Sequence, residues 1–204
     1  NHLYYQNYFS DYAPMLKNPF GSRGWQRGWY TYGHEASGSL RGFKADAWEG
    51  GLRVSLIIVW PGVIKPGYIN HSVVCNADFL ATFADILHEP ISRGSSEDSY
   101  SFLKNLTNPR APQQRSSVVL AAGGTGALVT RAGNWTLVSA ADSSWIGQQT
   151  YYPEGPSITA APLYPLRSDE GQTRNLAGDD SKRIKTLQAI IDKVKKGGGR
   201  EGRR

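Results

Sequence analysis

The sequence predicts an α/β protein in two parts, and three observations lead to this. First, residues 55–60 are a continuous apolar run ended by Pro61-Gly62, the pattern of a strand buried on both faces of a sheet. Second, an amphipathic helix follows that strand, and the two together form an α/β unit. Third, short alternating strands and a last amphipathic helix follow residue 116, which indicates a small antiparallel sheet packed against a helix.

In the first part, residues 1–53 are rich in Gly, Tyr, Trp and Arg and show no sustained periodicity, so we expect loops there. The helix that follows the predicted strand has Asn76 as its expected N-cap. Five apolar residues fall on one face of that helix, as expected if it packs against the sheet: Phe79, Leu80, Phe83, Ile86 and Leu87.

In the second part, residues 118–121, 127–131 and 135–139 are predicted strands, and the last two are joined by a tight turn at residues 132–134. Residues 163–166 are expected to add a fourth strand. The final helix should begin at Asp180 or Ser181 and end at Gly197. Its core-facing side is expected to hold Ile184, Leu187, Ile190, Ile191 and Val194.

Changes in composition give the predicted domain organisation. A Ser-, Pro- and Asn-rich linker separates the two parts, and a glycine-rich basic tail ends the chain. The predicted units are an α/β domain part over residues 1–89, a linker over 90–116, the antiparallel subdomain with its helix over 117–196 and a disordered tail over 197–204.

Charge and cysteine content exclude several classes of function. The net charge is +6, but residues 195–204 hold five cations and one carboxylate, so the body is almost neutral and no specific nucleic-acid partner is expected. No apolar run reaches the roughly 18 residues of a membrane span, and no leader segment is visible at the start. Cys75 is the single cysteine, so an internal disulfide is excluded.

The most informative segment is Gly33–Arg53, which reads G-H-E-A-S-G-S-L-R-G-F-K-A-D-A-W-E-G-G-L-R. It brings cationic side chains and turn-forming glycines to the start of the predicted strand, and this combination suits an anion. Residues 40–53 and the following I-V-W-P-G-V-I-K-P-G at 58–67 closely resemble the signature of formylglycine-dependent sulfatases of the bacterial arylsulfatase-A-like branch.

Further stretches are similar, in the same order, to the second half of such sulfatases. They are N-A-D-F-L-A-T-F-A-D-I-L from residue 76, S-E-D-S-Y-S-F-L from 96, A-L-V-T-R-A-G-N-W-T-L-V from 127, and P-L-Y-P-L-R-S-D-E-G-Q-T-R-N-L-A from 162. The resemblance covers nearly the whole chain from about residue 9. It implies the C-terminal part of an alkaline-phosphatase-like sandwich, followed by a small antiparallel sheet with a C-terminal helix.

The resemblance also implies a reaction, the hydrolysis of a sulfate ester. In this family a Cys or Ser matured to formylglycine attacks sulfur, while Ca²⁺ and cationic side chains neutralise the sulfate oxygens. Lys44 matches the family lysine that contacts the sulfate and assists the leaving oxygen, although most lysines are only solvated surface residues. His34 matches a histidine at the mouth of the pocket, or is a loop histidine bonded to local backbone. The expected substrate is a sulfated small molecule or polysaccharide, and the expected location is periplasmic or secreted.

The metal site implied by the resemblance is incomplete in this sequence. Asp11 in F-S-D-Y-A-P matches a calcium ligand, but Tyr12 stands where the family has a second ligand, an asparagine. Glu49, Gly50, Gly51 and Arg53 are expected to be scaffold, with the glycines in a tight turn and a local salt bridge between Glu49 and Arg53.

The nucleophile motif C/S-x-P-S/A-R and the paired calcium-binding aspartates of the family's N-terminal half are not in this sequence. We therefore expect the chain to lack sulfatase activity on its own, with the N-terminal half of the domain as its missing partner.

Two other interpretations stay open. Trp25 and Trp29, interleaved with Arg23 and Arg27, would suit a non-catalytic module that binds carbohydrate or polyanion. A gene relic without function is the other.

Overall fold

The computed structural model describes residues 37–42, 46–92, 94–108, 110–122, 127–139 and 161–197. Four strands form one antiparallel sheet in the order β1-β2-β3-β4: β1 is Ser117–Ala121, β2 is Leu128–Ala132, β3 is Trp135–Val138 and β4 is Leu163–Pro165. The helices are α1 at Glu49–Leu52, α2 at Asp78–Leu87, α3 at Leu103–Thr107 and α4 at Ser181–Gly197. No helix in these ranges is long and apolar enough to cross a membrane.

The sheet confirms the predicted meander. Leu120 is opposite Val129 in the β1–β2 pair, Thr130 is opposite Leu137 in the β2–β3 pair, and Leu137 is opposite Leu163 in the β3–β4 pair. Strand alternation sends neighbouring residues to opposite faces, so each face has its own apolar set. The predicted fourth strand and the tight turn after β2 are both confirmed.

Each face of the sheet is covered by a different element. On one face, Leu137 and Leu163 pack with Leu187 and Ile191 of α4 in one buried cluster. On the other face the buried cluster joins sheet residues to Ala47 and Trp48, which belong to the sulfatase-like signature. The antiparallel sheet is therefore the platform on which the signature segment rests.

The start of α4 is fixed by Asp180, as the sequence predicts. The Asp180 carboxylate accepts hydrogen bonds from the Arg183 backbone N–H at 2.9 Å and from the Arg183 guanidinium Nε at 2.8 Å. A carboxylate at this position satisfies a backbone donor that the helix itself cannot, and it also suits the helix dipole.

Replacing Asp180 with alanine is expected to destabilise the fold at neutral pH and to have no effect in acid. The hydrogen bonds from Arg183 hold the pKa of the Asp180 carboxyl below its usual value. A group whose pKa is lower in the folded state stabilises above its unfolded pKa, and this stabilisation is lost as pH falls through the folded pKa. Urea unfolding of the wild-type chain and the Asp180→Ala variant, at neutral pH and in acid, measures this. A difference that persists below both pKa values would contradict it.

The prediction of a strand at residues 55–60 is wrong for the part of the chain that the structure describes. The segment is extended, but it pairs with no strand among the described residues. Ile57 is 86% exposed and Val59 is 82% exposed, whereas the sequence predicts burial on both faces. The physical reason is that the sheet of the described chain is built from residues after 116, and it does not extend to this segment.

Helix α2 forms where predicted but starts one residue later. Its N-cap is Ala77, not Asn76, and Asp78 opens the helix. The buried residues of α2 are Asp78, Ala81 and Thr82, while Leu80, Phe83 and Leu87 on the predicted apolar face are exposed. The buried side of α2 therefore carries Asp78 and Thr82 beside Ala81, because it faces the segment before β1 and not a sheet.

That segment, which the sequence predicts to be a linker, is held on α2 by buried polar contacts. The Arg115 guanidinium pairs with the Asp78 carboxylate, and both side chains are almost fully buried. The Ala81 N–H donates to Ser99 Oγ at 2.8 Å, and the Phe102 N–H donates to Thr82 Oγ1 at 3.1 Å. The domain boundaries given above remain a prediction.

Candidate functional site

The sequence places the candidate site in the signature segment, and the structure describes the framework around it. The three predicted site residues, Lys44, His34 and Asp11, lie outside the described residues. The backbone is described up to Gly42 and again from Asp46. We call residues 37–42 the first flank of the Lys44 position and residues 46–53 the second flank. The contacts of these flanks show how the chain is held before and after residues 43–45.

The two flanks are joined by a backbone hydrogen bond, in which the Gly50 N–H donates to the Arg41 carbonyl at 2.8 Å. Gly42 has a φ of +75°, in the region that favours glycine, and a Cβ there would lie 2.9 Å from Trp48 Cδ1. A Cβ on Gly50 would lie 2.3 Å from the Gly42 carbonyl oxygen. Gly50 is therefore required for close approach of two backbone segments, and not for the tight turn that the sequence predicts.

Arg41 fastens the first flank to the C-terminal sheet. Its guanidinium lies 3.9 Å from the centre of the Trp48 ring, and its Nη1 donates to the Gln172 carbonyl at 2.9 Å and to Tyr164 Oη at 3.4 Å. Trp48 and Tyr164 pack edge to face with ring centres 5.8 Å apart. A buried arginine that is stacked and hydrogen-bonded in this way fixes the direction of the chain as it enters the Lys44 position.

Glu49 fastens the second flank through three contacts. Its carboxylate accepts from Arg131 Nη1 of β2 at 2.7 Å, and its backbone N–H donates to the Gln172 side chain at 2.7 Å. Arg53 Nε lies 3.9 Å from the same carboxylate, which confirms the predicted local salt bridge. The shorter bridge to Arg131 is the stronger one, because it is closer and its atoms are less exposed to water.

Burial changes the titration of two groups in this framework. It raises the pKa of the Glu49 carboxyl, and the charges of Arg131 and Arg53 oppose this. It also raises the pKa of the Tyr164 hydroxyl, against the opposing effect of Arg41. Gln172, which is fully buried, connects the contacts of Arg41 with those of Glu49. Its backbone carbonyl accepts from the Arg41 guanidinium, and its side-chain oxygen accepts from the Glu49 backbone N–H.

The described residues hold no cluster of metal ligands and no activated cysteine. Within the described ranges no group of three His, Cys, Asp or Glu side chains is placed to hold a metal ion. The calcium implied by the resemblance therefore finds no site in the described part of the chain. Cys75 is a half-buried free thiol whose pKa is raised by burial, which lowers the fraction of reactive thiolate.

Sequence reasoning missed the residues that build the framework. Arg41, Arg131 and Gln172 were assigned no role, although each makes a buried or half-buried contact with the other flank or with the sheet. The sequence of β2 does indicate a partner for Arg131, because a charged side chain in a short alternating strand is stabilised by an opposite charge on the same face. Nothing in the local sequence marks Arg41 or Gln172.

Comparison with known proteins identifies relatives along most of the chain. The N-acetylgalactosamine-6-O-sulfatase of Bacteroides thetaiotaomicron is 25% identical over 186 residues, which are 91% of this chain and 35% of that protein. The arylsulfatase of Hemicentrotus pulcherrimus is 47% identical over 47 residues, or 23% of this chain and 8% of the relative. The steryl-sulfatase of Rattus norvegicus is 45% identical over 49 residues, or 24% and 8%. No protein-family profile matches the chain.

A solved sulfatase structure, from work on the metabolism of glycosaminoglycans by Bacteroides thetaiotaomicron, has the same fold over 88% of this chain and 36% of its own, with a TM-score of 0.68 and 23% identity. This likeness confirms the predicted fold class, the C-terminal part of an alkaline-phosphatase-like sandwich followed by a small antiparallel sheet and a helix. The chain spans about a third of the length of the first relative and less of the others. The chain is thus a homologue of the sulfatases, and its partial coverage of them fits the C-terminal part of such a protein.

Proposed function

We propose that this chain is the C-terminal part of a sulfuric ester hydrolase, and that it positions Lys44 against the sulfate group of the substrate. The observation that carries the proposal is the homology to sulfatases over 91% of the chain. The framework around Lys44 supports it, because the two flanks are tied to each other and to the sheet by buried contacts. A cationic side chain held on such a framework suits an anion of fixed geometry.

The role proposed for Lys44 is electrostatic. Its ammonium group would donate hydrogen bonds to sulfate oxygens and stabilise the negative charge that builds up on the leaving oxygen in the transition state. His34 would act at the mouth of the same pocket, and Asp11 would be the one calcium ligand in this chain. No described residue supports a catalytic step through the metal, so the contribution proposed for this chain is binding and charge stabilisation.

The reaction needs a nucleophile that this sequence does not contain, and the family's formylglycine would be supplied from a different polypeptide segment. We therefore propose that the chain alone does not turn over sulfate esters. The proposed substrates are sulfated sugars or other sulfated small molecules, in keeping with the name of the first relative. The proposed location is periplasmic or secreted.

Replacing Lys44 with alanine is expected to lower aryl sulfate turnover roughly 100- to 1,000-fold in a polypeptide that also carries the nucleophile segment, as for other losses of one transition-state donor. The matched control is Lys65→Ala, since Lys65 is an exposed lysine in the turn after the extended segment. Initial rates measured over a range of substrate concentrations separate kcat from KM.

The same substitution in the chain alone should change nothing, because no turnover above background is expected there. Two outcomes would contradict the proposal. One is turnover by the chain alone that is well above that of its Lys44→Ala variant. The other is equal activity of the Lys44→Ala and Lys65→Ala variants in the longer polypeptide.

A further inference from the structure

The positive charge of the chain is concentrated at its C-terminal end. Residues 181–204 hold nine of the 23 lysines and arginines but only two of the 17 aspartates and glutamates, which gives them a net charge of +7. Residues 1–180 together carry −1. Helix α4 alone holds six of the nine cations and one carboxylate. An anionic partner is therefore attracted to this helix and not to the body of the protein.

Four lysines of α4 lie along one side of the helix. We call this surface the lysine face, and it consists of Lys182, Lys185, Lys193 and Lys196. At 3.6 residues per turn, their spacing keeps them within about 80° around the helix axis, and the first and last are about 21 Å apart along it. All four are exposed. The opposite side of α4 is the one that is buried against the sheet.

The stability of α4 does not explain where these lysines are. The helix dipole favours cations in the last turn and disfavours them in the first turn. Lys182 nevertheless lies in the first turn, which holds no acidic residue. The neighbouring Arg183 is paired with Asp180, but none of the ion pairs among the described residues includes Lys182, Lys185 or Lys196. These three ammonium groups can therefore bind an anion from outside the chain.

The side chains between the lysines indicate which kind of polyanion fits. The structure describes α4 in full, and the exposed residues Thr186 and Ala189 on this side of it are small. They offer no aromatic ring on which a nucleic-acid base could stack and no large apolar group that could enter a membrane. The one carboxylate of α4, Asp192, accepts a hydrogen bond from Gln188 at 3.0 Å and lies at the edge of the lysine face. A row of ammonium point charges suits a linear polymer with anionic groups along its length.

The lysine face and the second flank of the Lys44 position lie on opposite sides of the sheet. Helix α4 covers one face of the sheet, and Trp48 of the second flank packs on the other face. The lysine face would therefore hold a part of the polymer that does not contact the Lys44 segment. Binding at two places on one polymer raises the effective concentration of the groups near the second place.

We propose that the lysine face of α4 binds a sulfated polysaccharide through several of its sulfate groups and so holds a polymeric substrate on the protein. The choice of a sulfated polysaccharide among polyanions rests on the proposed function. The charged surface itself does not depend on that function.

The test measures the affinity of the full chain for a short heparin oligosaccharide. If the four lysines neutralise four sulfates, the affinity should fall about 100-fold between about 50 and about 200 mM salt, through the release of counterions. The variant Lys182→Gln/Lys185→Gln/Lys196→Gln should bind at least about 10-fold more weakly at the lower salt concentration, and its affinity should fall only about 3-fold over the same range. The chemically desulfated oligosaccharide should also bind at least about 10-fold more weakly to the wild-type chain.

The matched control removes three charges from exposed residues outside α4, in the variant Lys65→Gln/Lys104→Gln/Arg110→Gln. It should bind heparin as the wild-type chain does. Equal affinities of the two triple variants would overturn the proposal, because the lysines would then act only through net charge. Loss of binding in a chain shortened to end at Gly197 would also overturn it, because binding would then belong to residues 198–204.

A DNA oligonucleotide of the same charge tests the choice of polymer. If it binds as tightly as heparin, the choice of a sulfated polysaccharide is wrong and the lysine face is a general polyanion surface. No arm of the test measures hydrolysis, so the two proposals can fail separately. Heparin binding by the lysine face without any sulfate ester turnover would contradict only the proposed function. Aryl sulfate turnover by the longer polypeptide without heparin binding would contradict only this inference.

Discussion

Replacing Arg115 with methionine is expected to destabilise the chain by about 3–5 kcal/mol, the range for removing one partner of a buried ion pair. The Arg115 and Asp78 side chains are 8% and 2% exposed, and their closest N–O distance is 2.5 Å. Burial lowers the pKa of Arg115, but the hydrogen bond and charge of Asp78 outweigh this and raise it. The variant leaves the Asp78 carboxylate in a nearly water-free site with its main partner removed, and α2 loses one of its contacts with the segment before β1.

Urea unfolding followed by circular dichroism measures this loss. The control is Arg183→Met, which removes an arginine of similar kind from an exposed pair. Arg183 stacks on Trp135 as Arg115 stacks on Tyr100, at 4.0 and 4.5 Å, but Arg183 is 40% exposed. Exposed ion pairs contribute little, so the control should cost far less. Equal losses for the two variants would contradict the account of the buried pair.

Replacing Gly50 with alanine is expected to cost about 1–3 kcal/mol or more, the range for forcing atoms into a packed site. The new Cβ would lie 2.3 Å from the Gly42 carbonyl oxygen and 2.6 Å from the Arg41 carbonyl oxygen. Both are backbone atoms, so they can yield only if the two flanks separate. The hydrogen bond from Gly50 to Arg41 would then be lost, and with it the connection that closes the Lys44 segment.

The control for this substitution is Gly178→Ala. No atom lies within 4 Å of the position of its Cβ, and its φ is not in the left-handed region, so its effect should stay within about 0.5 kcal/mol. Unfolding measurements compare the two, and hydrogen exchange at the Glu49 and Gly50 amides reports on the flanks. A Gly50→Ala variant as stable as Gly178→Ala, with unchanged exchange, would mean that the flanks are not packed as described.

Several of the elements predicted correctly from the sequence have partners that are close along the chain. The β2–β3 turn and the Asp180 cap depend on residues within a few positions of each other, so alternation and turn chemistry were sufficient. Strand β4 pairs with a more distant strand, and its own apolar pattern was sufficient to predict it. The start of α2 was predicted one residue too early. Its first residue, Asp78, is fixed by Arg115, which lies 37 positions away and leaves no local mark in the sequence.

The strand predicted at residues 55–60 shows what an apolar pattern alone cannot predict. Its apolar pattern predicts a segment covered on both faces, but a pattern does not show which residues would cover it, and Ile57 and Val59 are exposed in the structure. The contacts on either side of the Lys44 position could not be predicted from the sequence for a related reason. Arg41 reaches Gln172 across 131 positions, and only the folded sheet brings them together.

The most direct test of the central claim, that this chain is the C-terminal part of a sulfatase, is to sequence the coding DNA upstream of Asn1. We expect an open frame, continuous with this one, that encodes two adjacent aspartates near a strand and a C/S-x-P-S/A-R motif. Such a frame would supply the nucleophile that Lys44 is proposed to assist. A stop codon directly upstream, or an unrelated gene, would contradict the claim and leave a binding module or a relic.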